Sequence, residues 1–166
     1  MSFPELSWLY ETAKKHDVIG ELGSWKGRSS HALSSGTKGT LTCIDTWAGS
    51  SDLRDDTNWM AKQEDIFAIF KNNTKDLKNI VTNRKTSIEA SKEYPDEYFD
   101  LFFIDAGHDF ESVVADIQAW KPKVKKGGIL CGHDFVKSWM GVIDAVNQEL
   151  GKPDEVHDSI WVKHIK

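Results

Sequence analysis

Two short segments each set an acid close to an imidazole. In FFIDAGHDF, Asp105 stands three residues before His108. In GGILCGHDF, His133 and Asp134 are adjacent. Carboxylate oxygens bind hard divalent cations such as Mg2+. Imidazole titrates near neutrality, so a histidine beside such a site can take a proton from a hydroxyl. Asp105 and His108 can therefore share a metal-bound substrate, one as ligand and one as proton acceptor, and Asp134 offers a second carboxylate ligand. His133 has two readings. As a direct ligand it turns the preference toward Mn2+, Fe2+ or Zn2+; outside the metal's shell it orients a ligand or substrate. The plainer alternative makes Asp105 a helix-start carboxylate and His108 a loop residue.

A third segment, VIGELGSWKGRSS (Val18 to Ser30), reads as a strand, a glycine turn and a helix start. Glu21, Gly23 and Gly27 fall in the order acidic-x-Gly-x-x-x-Gly. Gly23 can take a turn conformation closed to other residues, and Gly27 leaves room for a ligand or for tight strand-helix packing. The helix that follows points free N–H groups at the crevice. Glu21 sits in an otherwise apolar strand, where a lone carboxylate is costly unless paired. It can receive a cofactor's ammonium group, directly or through water, or bond nearby backbone N–H groups. About twenty residues beyond the turn, Asp45 is placed to accept hydrogen bonds from ribose hydroxyls. Trp47 offers an adenine-covering face or a core side chain. Thr86 and Ser87 offer an adenine-edge partner or a helix cap. A nicotinamide cofactor would use the same Asp45, but its G-x-G-x-x-G turn wants glycine where Trp25 and Arg28 stand.

These residues need elements that bring them to one edge. Apolar and polar spacing predicts helices over 4–15, 27–36, 59–75, 87–94, 110–120 and 139–150. It predicts strands over 17–23, 39–45, 79–84, 98–105 and 128–132, and a C-terminal hairpin in EVHDSIWVKHIK. Alternation of this kind gives an α/β fold: a doubly wound, Rossmann-like, mostly parallel sheet of about seven strands, ending in an antiparallel hairpin, with helices on both faces. Ligands on such sheets lie beyond the carboxyl ends of the strands. Glu21 with Gly23, Asp45, Asp105 with His108, and His133 with Asp134 all fall there. The polar segment 47–58 is long enough to act as a lid, and Trp139 and Met140 are candidate pocket walls.

Bulk properties narrow the field. At 166 residues, a single domain over 1–166 is expected. A net charge of -5 and a pI near 5.7 disfavour nucleic acid as a partner. The basic run Lys121 to Lys126 reads as a solvated loop. Cys43 and Cys131 have no metal-finger spacing and fall in buried strands, which points to a reducing compartment. No segment has the length of a membrane span, and MSFPELSWLY lacks a basic, apolar leader, so a cytoplasmic protein without membrane partners is expected. A homodimer is compatible with its aromatics.

The four segments ELGSWKGRSS, CIDTW, FFIDAGHDFESVVADIQAW and KKGGILCGHDF, in this order, resemble the class I S-adenosylmethionine (SAM) methyltransferases. Within them they resemble a metal-dependent small-molecule O-methyltransferase group that includes sugar-modifying and cephalosporin-pathway proteins. The resemblance covers about residues 17–150. It implies that Gly23, Asp45 and the 86–87 region line SAM, that Asp105 and Asp134 are metal ligands, and that His108 is a catalytic base. The acceptor implied is a hydroxyl of a small molecule, such as a sugar or natural product. His133 departs from the pattern, since relatives commonly carry an acid or asparagine there, and the site holds one carboxylate fewer. Alternatives from other classes are a non-catalytic SAM-binding scaffold or partner subunit, a nicotinamide-dependent oxidoreductase, and a metal-dependent hydrolase.

Overall fold

The alternation of strand and helix read from the sequence is the architecture observed. A computed structural model describes residues 1–50 and 56–166. In chain order these hold α1 (Phe3–Ala13), β1 (Val18–Leu22), α2 (Arg28–Gly36), β2 (Thr40–Ile44), α3 (Thr57–Gln63), α4 (Ile66–Asn73), β3 (Ile80–Asn83) and α5 (Ser87–Ser91). They continue with β4 (Phe99–Ile104), α6 (Phe110–Trp120), β5 (Val124–Gly132), α7 (Met140–Leu150), β6 (Glu155–His157) and β7 (Ile160–His164). One sheet runs in the order β3-β2-β1-β4-β5-β7-β6. Its first five strands are parallel, and β7 pairs antiparallel with both β5 and β6. The strand order reverses between β1 and β4, and a crevice opens at such a switch point.

Side-chain alternation along each strand divides the core into two layers. Phe99, Phe102 and Leu130 face α6 and α7, with Val113, Ile117, Trp120 and Val146 packed on them. Ile19, Leu41 and Phe103 face the other way, toward Leu9 of α1, Leu33 of α2 and Phe70 of α4. The ring of Phe102 stacks on Trp120 with centroids 4.4 Å apart. Cys43 and Cys131 are buried free thiols, one in each of two central strands, and burial pushes both up from the usual thiol range. Among the described residues, no helix is long and apolar enough to cross a membrane.

Two boundaries differ from expectation. The stretch 59–75 is not one helix, because Glu64 is extended (φ -132°, ψ 145°) and Asp65 starts a new helix by accepting the Ala68 N–H at 2.9 Å. A competing N-cap has overridden the apolar stripe. The run Lys121 to Lys126 is not wholly a loop either: Lys121–Lys123 form one 3-10 turn and β5 begins at Val124. A register shift between Phe99 and Leu101 absorbs these extra residues against β4. Of the lid candidate 47–58, residues 51–55 lie outside the described residues. Its flanks are tied together, with Ser50 N–H donating to Thr57 Oγ1 (2.9 Å) and Asn58 Nδ2 donating to Ser50 O (3.1 Å).

The sheet ladder continues one residue past the strand ends. Gly23 N–H donates to Ile44 O, Asp105 N–H to Leu22 O and His133 N–H to Ile104 O, at 2.8–3.0 Å. Residues 23, 45, 105 and 133 are thereby set in a row along one edge. Gly23 has φ +86°, and a Cβ there would stand 1.9 Å from the carbonyl oxygen of Asp105. Both the left-handed backbone and the contact exclude a side chain. Gly23→Ala is expected to cost about 3 kcal/mol of stability or more, through left-handed strain and overpacking, as a lowered midpoint in urea unfolding.

Candidate active site

The strand tips enclose a cavity of about 560 Å3, within the size range of small-molecule sites. Gly23, Asp45, Thr86, Ser87, Asp105 and His108 all line it. The Asp45 carboxylate accepts the Trp25 N–H (2.8 Å) on one oxygen and the Trp47 N–H (2.6 Å) on the other. Burial nevertheless raises its pKa, with those N–H groups pulling the other way. Trp25 holds a left-handed φ of +46° to aim its N–H at Asp45, and it lines the cavity too.

At the far end, Thr86 caps α5 in a reciprocal box with Glu89. The Ser87 hydroxyl accepts the Trp120 indole N–H at 2.9 Å and bonds Asp116. Ser87 thus uses its hydroxyl within the fold, while the start of α5 faces the cavity. Asp116 also lines the cavity, and burial raises its pKa to about 6, with Ser87 opposing.

Three of the cofactor candidates read from the sequence are not brought to the cavity wall. Glu21 is fully buried, and its carboxylate accepts from Ser24 Oγ (2.6 Å), Ser30 Oγ and Cys43 Sγ (3.4 Å). Burial raises its pKa against these bonds. Its partners are side-chain hydroxyls and a thiol, where a cofactor ammonium group or backbone N–H groups were expected. Trp47, also left-handed at φ +54°, turns into the core. Its indole N–H donates to Trp25 O, and its ring packs on Phe67 and Phe70 with centroids 4.6 and 5.0 Å away. Gly27 caps α2 at φ +90° beneath Thr74 and Phe70, so its missing side chain serves packing. It lines a groove between α1 and α2 that no strand-tip residue enters.

On the other side of Asp105 the acids and imidazoles converge. His108 Nε2 lies 2.9 Å from Asp134 Oδ2, and its ring stacks on Trp139 at 4.3 Å. His133 Nδ1 stands 3.2 Å from Asp134 Oδ2 and 3.6 Å from Asp105 Oδ1. Its Nε2 lies 3.2 Å from Glu5 Oε1. Burial works to lower the His133 pKa, but Asp134, Asp105 and Glu5 together raise it to about 9. Burial lifts Asp105 to about 7, with the His133 charge opposing and Asp134 adding. Against burial, the bonds from His108 and His133 hold Asp134 well below the usual carboxylate range. Ligand atoms of Asp105, His108 and Asp134 all lie within 4.8 Å of one another. Two carboxylates and neighbouring imidazoles at this spacing fit a divalent cation.

Sequence reasoning missed Trp25, Asp116 and Glu5. Trp25 occupies the variable position of the glycine turn, and Asp116 lies in a helix whose apolar stripe hid it. Glu5 belongs to α1, far along the chain from everything it touches in the site.

A family model described as a methyltransferase domain matches residues 21–135. The chain belongs to the methyltransferase-domain family. The match runs from Glu21 through Phe135, so it takes in both the glycine turn and the acid-imidazole cluster of Asp105, His108, His133 and Asp134. Solved structures are similar to this methyltransferase domain in fold. SAH-bound methyltransferase PaMTH1 from Podospora anserina has a TM-score of 0.70 at 16% identity, over 100% of this chain and 80% of its own. The O-methyltransferase from Bacillus cereus in complex with SAH gives 0.68 at 16%, over 89% and 67%. CalS11, a TDP-rhamnose 3'-O-methyltransferase of calicheamicin biosynthesis, gives 0.63 at 15%, over 96% and 76%. A curated relative, protein y4gI of Sinorhizobium fredii, is 26% identical over 132 residues. That match takes in 76% of this chain, which spans only 14% of the relative's length.

The raised pKa of Asp116 gives the methyltransferase domain a testable pH dependence. Between the ordinary aspartate value of 3.8 and about 6, the folded chain holds a proton that the unfolded chain has lost, so stability falls as pH rises. Asp116→Asn removes this loss. From pH 4 to pH 7 its unfolding free energy is expected to gain about 2–3 kcal/mol relative to the parent, measured by paired urea titrations.

Proposed function

We propose that residues 1–166 form a single SAM-dependent O-methyltransferase domain acting on a hydroxyl of a small molecule, with a sugar or natural product as the acceptor class. The observation that carries this is the convergence of two sub-sites on Asp105. On one side lies the cavity with Gly23, Asp45 and the start of α5; on the other lies His108 bonded to Asp134. The SAH and the rhamnose named for structural neighbours support the cofactor and the acceptor class.

A carboxylate has about four lone-pair positions. Asp45 lines the cavity, and ribose hydroxyls would share its oxygens with the backbone N–H groups of Trp25, Trp47, Thr46 and Ser24 that already reach it. The bare backbone at Gly23 would let the amino-acid end of the cofactor approach the sheet, and the start of α5 would hold the adenine edge. Asp105 and His108, on the same cavity wall, would then flank the methyl to be transferred.

Methyl transfer is an in-line displacement: the acceptor oxygen bonds the methyl carbon as the carbon-sulfur bond breaks, leaving a neutral thioether. A neutral hydroxyl is a weak nucleophile. Its proton passes to the His108 imidazole, whose Nε2 lies 2.9 Å from Asp134 Oδ2, and Asp134 stabilises the imidazolium that forms. Trp139 holds the ring in place by stacking. A divalent ion such as Mg2+ or Mn2+, held by Asp105 and Asp134, would lower the pKa of the acceptor hydroxyl. Positioning contributes much of the rest, on the order of 7–11 kcal/mol. The acidic chain has no charge match to nucleic acid, and the buried free thiols suit the cytoplasm.

His108→Ala is expected to keep SAH binding within about threefold while turnover with an accepted hydroxyl substrate falls about 10²–10⁴-fold; unchanged turnover would remove His108 from the chemistry. Asp45→Ala is expected to weaken SAH by about tenfold or more in calorimetric titration, at the value of one to two hydrogen bonds to a charged group. A parent protein that binds no SAH would overturn the cofactor assignment.

A further inference from the structure

Glu5 lies in the first turn of α1, outside the segment matched by the family model, yet it is buried (4% exposed) against the tip of β5. Its carboxylate is fixed from two sides. Ser2 N–H donates to Oε2 at 2.5 Å, closing the N-terminal cap of α1. Ser159, in the turn between β6 and β7, donates both its N–H (3.1 Å) and its hydroxyl (2.5 Å) to Oε1. The same oxygen lies 3.2 Å from His133 Nε2. The two imidazole nitrogens point in fixed and divergent directions. With Nε2 on Glu5, Nδ1 faces Asp134 at 3.2 Å and Asp105 at 3.6 Å.

A metal-binding histidine commonly donates its remote N–H to a carboxylate, which fixes the tautomer and the ring's orientation. The chain from Glu5 through His133 to the Asp105-Asp134 pair sets the same groups in that order, with the buried Nε2 in ion-pair contact with Glu5 Oε1 at 3.2 Å and in no hydrogen bond among the described residues. We propose that Glu5 is a positioning residue that aims His133 Nδ1 at Asp105 and Asp134, making an imidazole nitrogen the third donor of a divalent-metal site that takes Mn2+ in preference to Mg2+. The metal chemistry follows from the donor set. Mg2+ is a hard ion that keeps to oxygen, whereas imidazole suits later first-row ions and leaves the site one negative charge short of a three-carboxylate shell. This rests on the methyl-transfer reading only for the ion's purpose, not for its binding.

Calorimetric titration with MnCl2 and MgCl2, on the parent, Glu5→Gln, His133→Asp and the double variant, tests it. Gln at the same position can still close the α1 cap, and thermal unfolding of each variant checks that α1 stays docked. The parent is expected to bind Mn2+ at least tenfold tighter than Mg2+. Glu5→Gln is expected to weaken Mn2+ by about 10–100-fold and to narrow that preference. In the His133→Asp background, which restores a third carboxylate, Glu5→Gln is expected to change Mn2+ affinity by less than about threefold, because Glu5 acts through the imidazole. Three results would each overturn the assignment: no Mn2+ binding, Mn2+ bound no tighter than Mg2+, or an equal cost of Glu5→Gln in both backgrounds. SAH is titrated into the same samples. SAH binding with failed Mn2+ selectivity overturns this assignment alone; selective Mn2+ binding without SAH overturns the cofactor reading and leaves Glu5 and His133 as assigned.

Discussion

A carboxylate sealed inside the end of β1 organises the half of the molecule that faces the cavity. Glu21 has no exposed surface, and an unpaired acid there would cost several kcal/mol. Its hydroxyl partners, Ser24 and Ser30, sit on the turn after β1 and on the first turn of α2. The acid can be buried only if the chain doubles back to deliver both. That path sends Gly23 and Trp25 into the left-handed region and points the Trp25 N–H at Asp45. The cavity wall is thus tied to the burial of one acid, whose Oε2 takes all three bonds while Oε1 takes none among the described residues and whose pKa burial raises. Cys43 reaches the same carboxylate from the neighbouring strand, so β2 is tied to the turn as well.

The acid-imidazole cluster obeys the opposite logic. Its groups stay partly exposed, Asp105 and His108 line the cavity, and all four are stabilised by one another. Asp134 Oδ2 receives two imidazoles, and Asp105 is left as the acid that burial pushes upward. Asp134 itself adopts a left-handed φ of +63°, a conformation aspartate tolerates better than most residues. Closely spaced titratable groups whose pKa values diverge are a common basis for acid-base chemistry.

Most of the fold was legible because local signals agreed with one another. α6 starts and ends where the sequence places it, since Asp109 caps it and the stripe from Val113 to Trp120 faces one layer of the core. The row of strand-tip acids was legible for the same reason: each closes an apolar run. What could not be read falls into two kinds. A non-glycine residue at positive φ leaves no mark in the sequence, and that is why Trp47 turned inward while Trp25, two residues past Gly23, came to line the cavity. Long-range pairings leave none either. Glu5 looked like an ordinary first-turn acid on an amphipathic helix, and nothing near it in sequence announces His133 or Ser159. The break at Glu64 is intermediate, since Asp65 is a visible capping residue that the apolar stripe on either side outvoted.

The hairpin of β6 and β7 carries Ser159 to Glu5, so two residues 154 positions apart in the chain close over the same histidine. During synthesis the central strands can pair and α1 can form, yet the contact between Ser159 and Glu5 waits for the β6-β7 hairpin to leave the ribosome as well. Until then Glu5 lacks the two bonds from Ser159 that fix it beside His133. A nascent chain stalled just before Ser159 would therefore hold most of the sheet with Glu5 still unfastened beside His133.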